Sequence, residues 1–308
     1  MTSSLPSISK WNVPKWYKEN EELFAPPVCN KLMHKDQLTI MFVGGPNTRT
    51  DFHIEHGSEF FFQMRGNIEL PTIQRGKRKV VKIREGQVFL LPSRIPHSPQ
   101  RPEEGSFGLV VERRRDKHEL DGLRFYTDFD TCDDILWEKY FHCWDLGRDL
   151  VPVIEEYRSS EEFKTGRPTG KYVSSRPPTE IDTQTVVPDP FYFSDWLKRN
   201  DRLLQSGKVL NLFENHPDNE FHILVAGGNV RPEPRQWQHE TWLYQHRGDA
   251  IVEMESQSGD KTSEVLGSGD CCVVPANCNY LVRRSPGSVG LIVFNDPLAN
   301  KGSKRAKY

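Results

Sequence analysis

The 308-residue sequence has no stretch approaching the roughly 18 apolar residues that a membrane-crossing helix needs. Its opening, MTSSLPSISKWNVPKWYKEN, has no apolar run of the kind that marks a secretory signal. A cytosolic protein with no membrane partner is the expectation. An excess of either charge is lacking too, since 41 Lys and Arg stand against 43 Asp and Glu. Such a chain has no basic field to hold nucleic acid. The basic runs RGKRK (75–79) and ERRR (112–115) read as solvated turn and strand-end charges, and the tail KGSKRAKY (301–308) as disordered. There are six cysteines, Cys29, Cys132, Cys143, Cys271, Cys272 and Cys278, but no C-x-x-C pair. That excludes a zinc ribbon or a rubredoxin-type iron site. The thiols are expected to be reduced and structural, with Cys271 and Cys272 on opposite faces of a strand.

Helical periodicity is also scarce. It is found in WYKENEELF (16–24), TCDDILWEKYFHCW (131–144), DLVPVIEEYRSSEEFKT (149–165) and SDWLKRNDRLLQSG (194–207). In the last of these Ser194 is the expected N-cap and Gly207 the stop. What is abundant is the short apolar run closed by turn residues, as in QLTIMFVGG, EFFFQMRG, QVFLLP and FGLVVE, and later NEFHILVAGG, WLYQHRG, CCVVPA and VGLIVFND. Many short strands of this kind predict an all-β sandwich or barrel. The polar segment TGRPTGKYVSSRPPTEIDTQ (165–184) has no apolar period and reads as an inter-domain linker. The expected organisation is one domain over 1–169, a linker over 170–186 and a second domain over 187–308.

The two halves repeat one grammar. EFFFQMRG followed by GQVFLLPSRIPH (86–97) is echoed by TWLYQHRG followed by GDCCVVPANCNY (269–280). Placing Gly66 on Gly248 and Gly86 on Gly269 aligns the strand patterns at offsets of 182 and 183 residues. At those offsets His53 falls on Arg235, Glu59 on Thr241 and His97 on Tyr280. The first copy therefore reads as chemical and the second as structural and metal-free.

Residues 51–66, DFHIEHGSEFFFQMRG, carry four possible metal ligands: His53, Glu55, His56 and Glu59. Two histidines and one carboxylate around a barrel leave three adjacent positions open on an octahedral metal. Such ligands suit Fe(II), Mn, Co, Ni and Zn alike, so residue type does not fix the metal. In FGLVVE, Gly108, Val110 and Glu112 share one strand face, and an inward face would bury the Glu112 carboxylate. Arg101 lies four residues after His97 and offers a planar fork suited to a carboxylate.

The segment H-x-E-x3-E-x6-G (His53, Glu55, Glu59, Gly66) resembles the first cupin motif, and G-x5-P-x-R-x2-H (Gly86, Pro92, Arg94, His97) the second. Typical cupins have His at the Glu55 position and Gly at the Arg94 position. More closely, NKLMHKDQLTIMFVGGPNTRTDFHIEHGSEFFFQ, FLLPSRIPHSPQRP, GLVVERRR and ELDGLRFY resemble the 3-hydroxyanthranilate 3,4-dioxygenases of the animal, two-cupin type. The resemblance implies an all-β bicupin, two jelly-roll β-barrels with a few peripheral helices. It implies a cytosolic monomer with one Fe(II), in the N-terminal cupin, on His53, Glu59 and His97. Glu55 and His56 would stay off the metal. Glu59, Arg101 and Glu112 would contact substrate, with Arg101 on its carboxylate, and Arg49 would sit beside dioxygen. The implied reaction opens the ring of 3-hydroxyanthranilate with O2, giving 2-amino-3-carboxymuconate semialdehyde. That product cyclises to quinolinate on the kynurenine route to NAD. The rivals are another cupin enzyme, such as a thiol or different catechol dioxygenase or a sugar isomerase on Mn or Zn, and a non-enzymatic bicupin.

Overall fold

The computed structural model describes residues 8–24, 29–255 and 259–296; the tail 301–308 lies outside them. Its first half holds strands β1 (Lys10–Asn12), β2 (Asn30–Lys35), β3 (Leu38–Gly44), β4 (Asp51–Ile54), β5 (Glu59–Arg65) and β6 (Ile68–Gln74). These are followed by β7 (Lys77–Ile83), β8 (Gln87–Leu91), β9 (Phe107–Arg113), β10 (Asp121–Tyr126) and β11 (Ile135–Phe141). The second half holds β12 (Phe191–Tyr192), β13 (Val209–Asn211), β14 (Phe221–Gly227), β15 (Arg235–Gln236) and β16 (Thr241–Arg247). It ends with β17 (Ala250–Glu255), β18 (Lys261–Leu266), β19 (Asp270–Val274), β20 (Asn279–Arg284) and β21 (Val289–Asn295). Helices are α1 (Val13–Glu19), α2 (Leu146–Ser159), α3 (Glu161–Thr165) and α4 (Phe193–Gln205), with a 3-10 turn at Glu21–Leu23. The chain is an all-β bicupin with few helices, as expected.

Contacts divide the chain into two units, Glu22–Phe193 and a second made of Met1–Glu21 with Ser194–Tyr308. These boundaries differ from the 1–169, 170–186 and 187–308 division. The reason at the N-terminus is that β1 pairs with β19, Trp11 opposite Cys271, and so completes the sheet of the later copy. The polar segment is not a free linker either. Thr179 is fully buried and donates to Leu120 O at 2.6 Å, and Asp182 N–H donates to Arg94 O at 2.9 Å.

In the Glu22–Phe193 unit, one sheet runs β12-β8-β5-β9-β3-β2. The other is assembled from β11-β10-β4 and the hairpin β6-β7, joined through bridges His53↔His97 and Thr72↔His97. Met41, Phe61, Phe89, Leu91 and Val110 of the first sheet meet Ile68, Leu70, Val81 and Ile83 of the second in one buried cluster. That alternation of inward apolar residues on two facing sheets is a jelly-roll core. The other unit repeats it with β1-β19-β16-β21-β14-β13 and β15-β20-β17-β18, packed through Leu243, Cys272, Ile292, Val252 and Met254.

The strand 135–141 corrects one expectation, since 131–144 read as helical. Seven residues fit either period, and the partner decides: β11 pairs with β10 along its length, Leu123 opposite Lys139. Its Trp137 then packs against Tyr157 of α2, ring centroids 5.4 Å apart. The other helical stretches do form helices, although Ser194 lies inside α4 rather than capping it. Gly207, at φ +82°, follows the end of α4 as expected. All six cysteines are free and buried.

Candidate metal centre

β4 and the segment 97–101 run antiparallel, and this pairing builds the site. His53 N–H donates to His97 O at 2.8 Å, and His97 N–H returns the bond to His53 O at 3.0 Å. The two imidazoles therefore stand side by side, ring centroids 5.4 Å apart. Arg101 and Asn47 repeat the exchange at 2.7 Å in both directions. Residues four apart on extended chain share a face, so Arg101 follows His97 into the same cavity. Glu59 enters from the start of β5. His53, Glu59 and His97 are all buried, with ligand atoms within 4.8 Å of one another.

The residues fit a cation. His97 Nε2 lies 2.8 Å from Glu59 Oε1, yet Oε1 is buried with no aligned hydrogen-bond partner. Two ligand groups that converge this closely, with no further partner for Oε1, suit a shared ion. Both rings are held from behind: His97 Nδ1 contacts Ile95 O at 3.0 Å, and His53 Nε2 contacts Asp121 Oδ2 at 2.7 Å. Outer partners of this kind orient ligating histidines. Burial opposes charge on both His97 and Glu59, but their attraction prevails, raising the His97 pKa and lowering that of Glu59. Other acidic groupings in this unit are already served by arginine. Arg115 binds Glu112 at 2.5 Å, Asp121 at 2.9 and 3.1 Å, and Glu55. Arg113 binds Glu119 at 2.5 and 2.7 Å.

Those contacts correct the reading of ERRR as solvated. Glu112 is 2% exposed and Arg113 6%, and Arg115 is partly buried among three carboxylates; only Arg114 points to solvent. Glu112 was expected on an inward face, and it does line the cavity with Val110. Burial, with crowding by Glu59, raises its pKa despite Arg115. Glu55 is raised well above its ordinary range by burial and by the neighbouring carboxylates, again despite Arg115. His56 lies in a bend and contacts Thr179 Oγ1 at 3.0 Å.

The cavity is lined by His53, Glu59, His97, Arg49, Arg101 and Glu112, with Asn47, Met41, Phe61, Pro99 and Val110. All six residues singled out from the sequence therefore share one space. Arg101 is 1% exposed; its Nη1 donates to Gln63 Oε1 at 2.8 Å, and its Nε has no partner. Among the described residues no carboxylate pairs with it. Burial pulls its pKa down to about 10. Gly108 makes room for it, since a Cβ there would lie 3.3 Å from both terminal nitrogens of Arg101 and 2.4 Å from Gln63 Oε1. Arg49 differs: its guanidinium is held by Asp51, with Nε at 2.9 and 3.0 Å from the carboxylate oxygens.

A profile of the 3-hydroxyanthranilic acid dioxygenase family matches residues 5–158 and 187–304, most of the chain. The chain belongs to that family. Members named 3-hydroxyanthranilate 3,4-dioxygenase from Rattus norvegicus and Homo sapiens are each 44% identical over 289 residues, covering 94% of this chain and 97% of theirs. One from Nematostella vectensis is 43% identical over 291 residues, covering 93% and 99%. A structure of oxalate decarboxylase from Bacillus subtilis aligns over 96% of this chain and 78% of its own, at 14% identity and TM-score 0.48.

Within this dioxygenase-family chain, sequence reasoning passed over Asp121, Arg115 and Gln63. Asp121 sits in ELDGLRFY, in a strand whose pairing with β4 sets Leu123 opposite His53. Only that register brings its carboxylate to the ring. Arg115 looked like one charge in a basic run, and Gln63 like one polar residue at a strand end. An isolated Gln before Gly66, repeated as Gln245 before Gly248, was the available hint.

Proposed function

We propose that the protein is a 3-hydroxyanthranilate 3,4-dioxygenase, opening the substrate ring with O2 to give 2-amino-3-carboxymuconate semialdehyde, the precursor of quinolinate. The observation that carries this is Arg101, a buried guanidinium with no acidic partner, in one cavity with His53, Glu59 and His97. A buried, unpaired cation calls for an anionic ligand. The substrate's carboxylate is that ligand, and its position fixes the ring over the three metal ligands.

Fe(II), held by His53, Glu59 and His97, would supply adjacent open positions and the electrons that activate dioxygen. The chain's own residues do the rest. Arg101 forms the charge-assisted grip, kept in place by Gln63. Glu112 has one oxygen on Arg115 and offers the other to the substrate hydroxyl or amine. Its raised pKa suits it to take up a proton as that hydroxyl binds. Arg49, anchored on Asp51, brings a positive charge to the side where dioxygen enters. Glu55 stays off the metal because Arg115 claims it. Arg101 and Glu112, by fixing the substrate beside the three metal ligands, would supply the proximity contribution.

The test is aerobic turnover of 3-hydroxyanthranilate after loading with Fe(II). The expected result is a new yellow absorbance that decays to quinolinate. No ring opening with stoichiometric Fe(II) bound would overturn the reading. The monomeric, cytosolic state that goes with this reading is checked by sedimentation and by cell fractionation.

A further inference from the structure

The second jelly roll has lost the metal ligands but kept the arginine. Gln63, Arg101 and Gly108 fall on Gln245, Arg284 and Gly290 at the same offsets of 182 and 183 residues. The geometry is kept with them. A Cβ at Gly290 would lie 2.9 Å from Arg284 Nε, 3.0 Å from its Nη2 and 2.9 Å from Gln245 Oε1. In both copies the glutamine Nε2 donates to a backbone oxygen two residues on, Arg65 at 2.8 Å and Arg247 at 2.9 Å. That bond fixes the amide so that Oε1 faces the arginine.

Arg284 Nε is buried and has no hydrogen-bond partner, despite Gln245 beside it. Among the described residues no carboxylate pairs with Arg284 or with Arg235. Arg235 replaces His53, and its backbone pairs with Tyr280 across β15 and β20, just as His53 pairs with His97. Its charge is near enough to Arg284 to disfavour that cation. The wall changes in a matching way. Phe294 takes the place of Glu112, and its ring stacks on His222 at 5.0 Å and meets Trp237 at 5.1 Å. Where the first copy has acidic groups and a metal set, the second has two arginines and an aromatic surface.

We propose that the second jelly roll binds a small planar carboxylate, gripped by Arg284 and Arg235 against the face that carries Phe294. Two neighbouring cations, one with a buried unpaired nitrogen, need a counter-anion. An aromatic wall in place of a carboxylate favours a flat organic acid over inorganic sulfate. Arg284 keeps part of its surface in solvent, so an anion reaches it without opening the core. Its pKa is pulled down to about 10, first by burial and further by Arg235, against an opposing pull from Tyr280.

Benzoate is the probe, titrated calorimetrically into the full chain carrying Arg101→Ala, so that the first copy's grip is absent. One benzoate per chain is expected. Adding Arg284→Ala should weaken it at least about tenfold, the scale of a lost charge-assisted contact, and adding Arg235→Ala should weaken it as well. Arg284→Lys keeps the charge but loses the fork. It should weaken binding with the melting temperature unchanged, which separates ligand binding from folding. Benzoate affinity unaltered by both Arg284→Lys and Arg235→Ala, or no binding in the Arg101→Ala chain, overturns the proposal. Equal affinity for sulfate and benzoate overturns the choice of a planar acid. Two sites in the Arg101→Ala chain, one of them lost with Arg284→Ala, would uphold the proposal and count instead against the role given to Arg101.

Discussion

Strands β5 and β16 show how one scaffold has parted into two chemistries. Each has seven residues, each pairs with two neighbours, and each shifts register at the same place, between Gln63 and Arg65 or between Gln245 and Arg247. Each is followed at once by a glycine in the left-handed region, Gly66 at φ +67° and Gly248 at φ +69°. Yet β5 begins with Glu59 and β16 with Thr241. The bulge, the glycine and the inward apolar residues belong to the fold and are constrained in both copies. The residue at the strand mouth keeps its backbone in the sheet ladder in both copies, and its side chain differs without disturbing the bulge or the turn.

The largest expected effect comes from breaking the side that differs. His97→Ala should abolish stoichiometric metal and lower turnover by roughly a thousandfold or more, as loss of a ligand to a catalytic metal does. Tyr280→Ala, at the matching position, should leave metal content unchanged; elemental analysis of both variants decides it. Next comes the shared arginine. Arg101→Ala should lower kcat/KM by about a hundredfold to a thousandfold, since truncating one partner of a buried charged contact costs 2–5 kcal/mol. Metal content should stay intact, and an unchanged kcat/KM would remove Arg101 from the site. Third, Asp121→Asn, which weakens the hold on His53, should reduce metal affinity by about 10–100-fold. A competition titration with a chelator measures it. The smallest effect tests the shared scaffold: Gly66→Ala and Gly248→Ala should each cost about 1–2 kcal/mol, because a Cβ is disfavoured at positive φ. Chemical denaturation should give similar losses for the two, and a large inequality would mean that the two turns are not equivalent.

Much of the site could be read in advance because its residues lie close along the chain or on a regular period. His53 and Glu59 sit in one motif, and Arg101 shares a strand face with His97 four residues earlier. Alternation along β9 set Glu112 on one face with Gly108 and Val110, and the structure turns that face to the cavity. What could not be read was the layer behind. Arg115 looked solvated because a run of charges says nothing about what covers it, and it proved to bind Glu55, Glu112 and Asp121. The helical reading of 131–144 failed for a related reason. Seven residues fit two periods, and only the hydrogen bonds offered by β10 chose between them.

Sequence by itself determined the repeat, the all-β class and the glycines at the turns, since each follows from local spacing, and it brought His53, Glu59 and His97 forward through their resemblance to the cupin motifs. Tertiary structure decided the partners: Asp121 on His53, Arg115 among three carboxylates, Gln63 on Arg101, and the first strand joined to the later copy. The physical reason is one of range. Turn geometry and strand alternation are set by neighbouring residues, whereas the charge balance of a buried site depends on which distant groups the sheet registers bring within a few ångströms.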